Sequence, residues 1–108
     1  MKFSEYIQYD GLGLAQLVKN KEVHASELLR IALERTDKTN SKLNAVIIPM
    51  YEQAKQRTQQ QSSGLFAGVP FLVKDLFQEY QGVPTSYGSN ALKKINYTPD
   101  FNAEIVNR

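Results

Sequence analysis

The sequence predicts an α/β fold, with helices alternating with strands that pair into a sheet. Three observations carry this expectation. Residues 25–39 repeat apolar side chains at helical spacing. Residues 43–48 are apolar, rich in β-branched side chains and stopped by Pro49, the pattern of a strand. Residues 71–76 are almost continuously apolar between Gly68-Val69-Pro70 and a glycine- and serine-rich stretch at 82–89, as in a strand buried on both faces.

Taken in order, Asp10 caps a first helix over residues 11–20, with Leu14, Leu17 and Val18 on one side; Gly11 and Gly13 weaken its start. The second helix, 25–39, lines one face with Leu28, Leu29, Ala32, Leu33 and Thr36. Its other face carries Glu27, Arg30, Glu34 and Lys38 at spacings of three and four, which pair along the helix. His24 and Glu27 form a degenerate capping box in which histidine replaces the preferred serine. A lone histidine without a second ligand nearby reads as structural or exposed, not as a metal ligand or base. Asn40 and Ser41 end this helix and the strand 43–48 follows.

A third helix over 51–61 is polar almost all round, with only Tyr51, Ala54 and Thr58 to bury, and belongs on the surface. Ser62-Ser63-Gly64 is a solvated loop, and the second strand covers 71–75. The chain then passes through 78–82 into Pro84-Thr85-Ser86-Tyr87-Gly88-Ser89. Residues 90–94 make a helical turn, and Asp100 caps a last helix whose apolar side is Phe101, Ile105 and Val106.

The 108 residues fit a single region, 1–108, forming one domain or part of a larger one. A 42% hydrophobic and 22% charged composition argues against wholesale disorder. The net charge of +2 and the absence of a basic stripe give no support to nucleic-acid binding. Without cysteine there can be no disulfide, thiolate metal site or cysteine nucleophile. The first residues lack the apolar core of a signal peptide, and no run approaches the ~20 residues of a membrane span, so the sequence reads as soluble and cytoplasmic.

Lys74 is the residue that calls for explanation. In a regular strand it shares a face with Leu72 and Leu76, while Phe71, Val73 and Asp75 face the other way. A buried ammonium costs several kcal/mol unless it is paired, hydrogen-bonded or neutralised. Two readings stand. The stem of Lys74 lies on Leu72 with its amine in water beside Asp75, or the lysine is pushed toward neutrality and serves as a general base. The hydroxyls and amides of 84–89 either form a plain turn cluster or border the lysine.

The string Gly64-Leu65-Phe66-Ala67-Gly68-Val69-Pro70-Phe71-Leu72-Val73-Lys74-Asp75-Leu76, followed by Gly82-Val83-Pro84-Thr85-Ser86-Tyr87-Gly88-Ser89, resembles the amidase signature family in order and spacing. That family's pattern runs G-x-x-x-G-[VI]-P-[FI]-x-x-K-D and then G-x-x-[TS]-x-x-[GA]-S. Glu22-Val23-His24-Ala25-Ser26-Glu27-Leu28 and Leu43-Asn44-Ala45-Val46 are similar to its amino-terminal helices and strand, so the resemblance covers the chain from about Tyr9 to Arg108. It implies that Lys74 is the lysine of a Ser, cis-Ser, Lys triad that hydrolyses carbon–nitrogen amide bonds of small molecules without a metal or organic cofactor. It also implies a large mixed sheet covered by helices, of which this chain is the amino-terminal helical and sheet portion.

The family's G-G-S-S-G-G-S loop, which holds both serines after the lysine, has no counterpart here. Ser62 and Ser63 come before the lysine, and the pattern does not place its nucleophile at Ser86 or Ser89. The resemblance thus implies an amino-terminal piece of an amidase, by natural truncation, broken reading frame or deliberate cut, and inactive alone. Apolar surface left uncovered on such a piece would lead it to self-associate or bind the missing carboxyl-terminal part. Two other readings are an interaction module derived from an amidase and a part of a transamidating amidase subunit that feeds ammonia to aminoacyl-tRNA. The 82–89 stretch is more similar to general amidases, and 71–76 to cyclic-amide hydrolases of the nylon-oligomer type.

Overall fold

The computed structural model describes residues 1–108 and contains six helices and no β-strand. The expected α/β sheet is therefore corrected to helices joined by long irregular connections. The physical reason is that a strand exists only through hydrogen bonds to a neighbouring strand, and neither apolar run finds one within this chain. Leu43 is drawn into the end of a helix instead, and the Asn40 side chain occupies both backbone groups of Val46, accepting from its N–H and donating to its C=O at 2.9 Å each. Residues 71–74 carry no regular structure, and Phe71 and Leu72 stand 80% and 72% exposed.

The chain forms two compact units, Met1–Pro70 and Phe71–Arg108. The first holds four helices: α1 (Phe3–Tyr6), α2 (Gly11–Lys19), α3 (Ala25–Leu43) and α4 (Tyr51–Arg57). The single turn of α1 is too short to show a periodic pattern in the sequence. It packs against α3, where the Arg35 guanidinium lies 5.2 Å from the centre of the Phe3 ring. The Asp10 side chain caps α2 as expected, accepting from the Gly13 amide at 2.8 Å.

α3 runs four residues beyond the expected end at Thr39, because Asn40 and Ser41 stay helical and Asn44 supplies the left-handed residue that stops it. Arg30 pairs with Glu34 one turn on. The His24 side chain makes no capping bond, and Glu27 pairs with the terminal ammonium of Met1 rather than reaching back along the chain. That hydrogen bond holds the Glu27 carboxyl below its usual range. α4 ends at Arg57, short of the expected Gln61, where the Thr58 hydroxyl turns back to the Lys55 carbonyl.

The core of this unit is Leu14, Val23 and the wholly buried Leu28, with Tyr6, Leu17, Val18 and Val69 packed around it. Gly68 closes the unit at φ +81, where an added Cβ would stand 2.9 Å from Val18 Cγ1 and 3.2 Å from Ala25 Cβ. Only glycine meets both conditions.

The second unit carries two short helices, α5 (Asn90–Lys94) and α6 (Glu104–Asn107). α5 matches the expected turn, its Ser89 hydroxyl accepting from the Leu92 amide. α6 differs: its cap is Ala103, and Asp100 lies outside it. Residues 79–85 and 97–103 run antiparallel, tied by amides of Gly82, Thr85 and Ala103 to carbonyls of Pro99, Tyr97 and Glu79 at 2.9–3.0 Å. Pro84 and Pro99 have no N–H to give, and the three bonds are spaced too unevenly to make a ladder. No helix is long and apolar enough to cross a membrane.

Candidate functional site

Lys74 lies in the second unit at the start of a bend over residues 75–77. Its amide donates to Gln78 Oε1 at 2.7 Å, so the backbone is tied while the side chain extends into solvent and joins no ion pair. The apolar cover expected over the lysine is not supplied by this chain, since Leu72 is exposed and Leu76 only half-buried. Asp75 does not pair with Lys74.

Asp75 instead gathers the hydroxyl-rich segment ten residues on. Its carboxylate accepts from the Thr85 hydroxyl, from the Ser86 hydroxyl at 2.5 Å, and from the Ser86 amide at 2.9 and 3.2 Å to its two oxygens. Partial burial pushes the Asp75 carboxyl up, but the hydroxyls of Ser86 and Thr85 and the Ser86 amide together outweigh it and hold the carboxyl below the ordinary carboxylate range. A carboxylate so stabilised is a poor base near neutrality. The Ser86 hydroxyl is held by this carboxylate, and the Ser89 hydroxyl caps α5.

Behind this clamp the Tyr87 hydroxyl donates to the carboxylate of Glu79, which is buried. Tyr87 also packs edge-on to Phe77, with ring centres 5.8 Å apart, and tilted against Tyr97 at 6.4 Å. Phe77 and Tyr87 both sit at left-handed φ, 58° and 50°, which bulky side chains rarely adopt. Gln78, Glu79 and Tyr87 carry no motif signal of their own; polar residues in a loop disclose their partners only once the loop is folded.

No three His, Asp or Glu side chains converge to hold a metal ion. A hollow of about 280 Å³ in the first unit is bordered by Met1, Tyr9, Leu17 and Glu22. A groove of about 390 Å³ runs between α3 and α4 of the same unit, lined by Leu29, Leu33 and Thr58. His24 is exposed and its side chain makes no capping bond to α3.

A lysine with a free head on a tied backbone, next to an aspartate that binds a Thr-Ser segment, within the order Gly-Val-Pro, Lys-Asp, Gly, Thr-Ser, Gly-Ser, defines an amidase-type chain. The chain belongs to the amidase family: the family model described as Amidase matches residues 27–108. It is 37% identical over 99 residues to the 6-aminohexanoate-cyclic-dimer hydrolases of Pseudomonas sp. (strain NK87) and Paenarthrobacter ureafaciens, a match covering 92% of this chain and 20% of each relative. It is 38% identical over 92 residues to the lipoamidase of Enterococcus faecalis, covering 83% of this chain and 13% of that protein. A glutamyl-tRNA(Gln) amidotransferase subunit of Persephonella marina is 28% identical over 103 residues, covering 88% and 21%. The solved structure of 6-aminohexanoate cyclic dimer hydrolase superposes with a TM-score of 0.85 at 35% identity, again over 92% of this chain and 20% of the other; the same holds for its complex with substrate. The chain thus spans about a fifth of the length of the hydrolases it matches.

Proposed function

We propose that this chain is the lysine-bearing part of an amidase that hydrolyses carbon–nitrogen bonds of small linear or cyclic amides, with Lys74 as the base of a Ser, cis-Ser, Lys mechanism. The observation that carries the reading is the family match across 27–108, which includes Lys74 together with the segment clamped to its neighbour. In the reaction a serine hydroxyl attacks the amide carbonyl and passes its proton through the second serine to uncharged Lys74. Collapse of the tetrahedral intermediate breaks the C–N bond, and the leaving amine takes the proton. Water then cleaves the acyl-enzyme by the same route in reverse. The two relay serines are not matched by Ser86 or Ser89, both engaged elsewhere. On this reading the chain alone turns over no amide and works with further sequence of the kind its longer relatives possess, in a soluble cytoplasmic enzyme.

The test is to assay the 108-residue chain against linear and cyclic amides, and then to graft its matched residues into 6-aminohexanoate-cyclic-dimer hydrolase in place of that enzyme's own. The chain alone should be inactive. The graft should hydrolyse the cyclic dimer and lose turnover on Lys74→Ala. A soluble graft indifferent to Lys74→Ala would refute Lys74 as the base. A second reading, a part of a transamidating enzyme, is favoured by the similarity to the glutamyl-tRNA(Gln) amidotransferase chain. Release of ammonia from glutamine by the matching graft in that amidotransferase, with none of the cyclic dimer cleaved by the first, would select it.

A further inference from the structure

The backbone around Lys74 is secured from two sides by side chains that do not touch its head. On its own residue, the amide donates to Gln78 Oε1 at 2.7 Å. On the next, Asp75 accepts from the Thr85 hydroxyl and from the amide and hydroxyl of Ser86. Adjacent Cα atoms are only about 3.8 Å apart, so anchoring residue 75 confines residue 74. Thr85 is itself buried and tied through its amide to the Tyr97 carbonyl, which makes the anchor point part of the folded unit and not a loose loop. A base must meet its proton donor at about 2.6–3.2 Å, and a misplacement of about 1 Å costs up to 10²-fold in rate.

We propose that Asp75 is a positioning residue for Lys74: by clamping Thr85 and Ser86 it holds the backbone from which the lysine reaches the serine relay. This rests on the reading of Lys74 as the base. It assigns Ser86 a structural task and leaves the Lys74 head unencumbered.

The experiment uses the graft in 6-aminohexanoate-cyclic-dimer hydrolase with Lys74→Ala, Asp75→Ala, Asp75→Asn and Ser86→Ala. Asp75→Ala should lower kcat about 10²-fold with KM changed less than about threefold, since the lysine meets the proton and not the ground-state substrate. Asp75→Asn keeps an oxygen for the Thr85 hydroxyl and Ser86 amide and should restore kcat to within about tenfold of the parent graft. Ser86→Ala, which leaves two of the three donors, should fall between parent and Asp75→Ala. An inactive Lys74→Ala beside a fully active Asp75→Ala overturns the positioning role alone. A fully active Lys74→Ala overturns the base reading and this proposal with it. If the graft does not fold, hydrogen exchange in the 108-residue chain decides: Asp75→Ala should speed exchange of the Lys74 amide at least about tenfold and leave the Leu28 amide unchanged. Equal Lys74 rates would overturn the proposal.

Discussion

Replacing Gly68 by alanine tests whether the glycine of the Gly-Val-Pro motif is there for its backbone, for the space beside it, or for neither. Two contributions add. At φ +81 an L-residue is strained by roughly 1–2 kcal/mol relative to glycine. The new Cβ would also lie 2.9 Å from Val18 Cγ1 and 3.2 Å from Ala25 Cβ, inside the closest approach of carbon atoms. Forcing a methyl into a packed position of this kind costs about 1–3 kcal/mol in shifted backbone and side chains. The expected loss is about 3 kcal/mol, against a total of roughly 3–10 kcal/mol for a unit the size of Met1–Pro70. A loss of that size lowers a thermal midpoint by on the order of 10–20 °C. Near-UV circular dichroism of the tyrosines can follow the unfolding. The two contributions separate in the Val18→Ala background, where the nearer clash is gone and Gly68→Ala should regain about 1 kcal/mol. A midpoint within about 2 °C of the parent, or the same loss with and without Val18, would show the reasoning to be wrong.

The remaining predictions concern charge, core and association. The Asp75 carboxyl is held below the unfolded value of about 3.9, so its stabilisation is complete above that pH and is lost as pH falls through the lower folded value. A carbon-13 titration of its carboxyl should give a midpoint under about 3.9, and a midpoint at or above that value would contradict the clamp. Leu28→Ala empties the one wholly buried side chain of the first unit and should destabilise it by about 2–5 kcal/mol in urea unfolding; a change under about 1 kcal/mol would mean the site collapses freely or is not the core. Phe71 and Leu72 stand exposed on a segment with unpaired backbone groups, so the isolated chain should associate with rising concentration in sedimentation velocity and bind an apolar dye. A dye-negative monomer at high concentration would refute that expectation.

Two features at Lys74 show how far the linear order reaches. The motif spacing marks Lys74 and residues 82–89 as parts of one pattern. It does not say that the residue beside Lys74, Asp75, holds that stretch, because this requires the chain to return after ten residues and bring Thr85 and Ser86 within hydrogen-bonding distance of one carboxylate. The chance that an aspartate does this, pairs with the lysine or faces water is decided by the fold of the loop and not by the residue.

The helices divide from the strands for the same reason. Asp10 capping α2, the apolar face of α3 with its Arg30–Glu34 pair, and the α5 turn are all set by residues three or four apart, so the sequence by itself determined them. The end of α3 was already less legible, since Asn40 could stop a helix or, as here, stay in it and hold Val46. Residues 43–48 and 71–75 have strand composition, but composition expresses only a fitness for a pleated, half-buried surface. Whether they become strands depends on a partner's backbone donors and acceptors, and only the tertiary structure, in which no such partner lies beside them, decided that they remain outside any sheet.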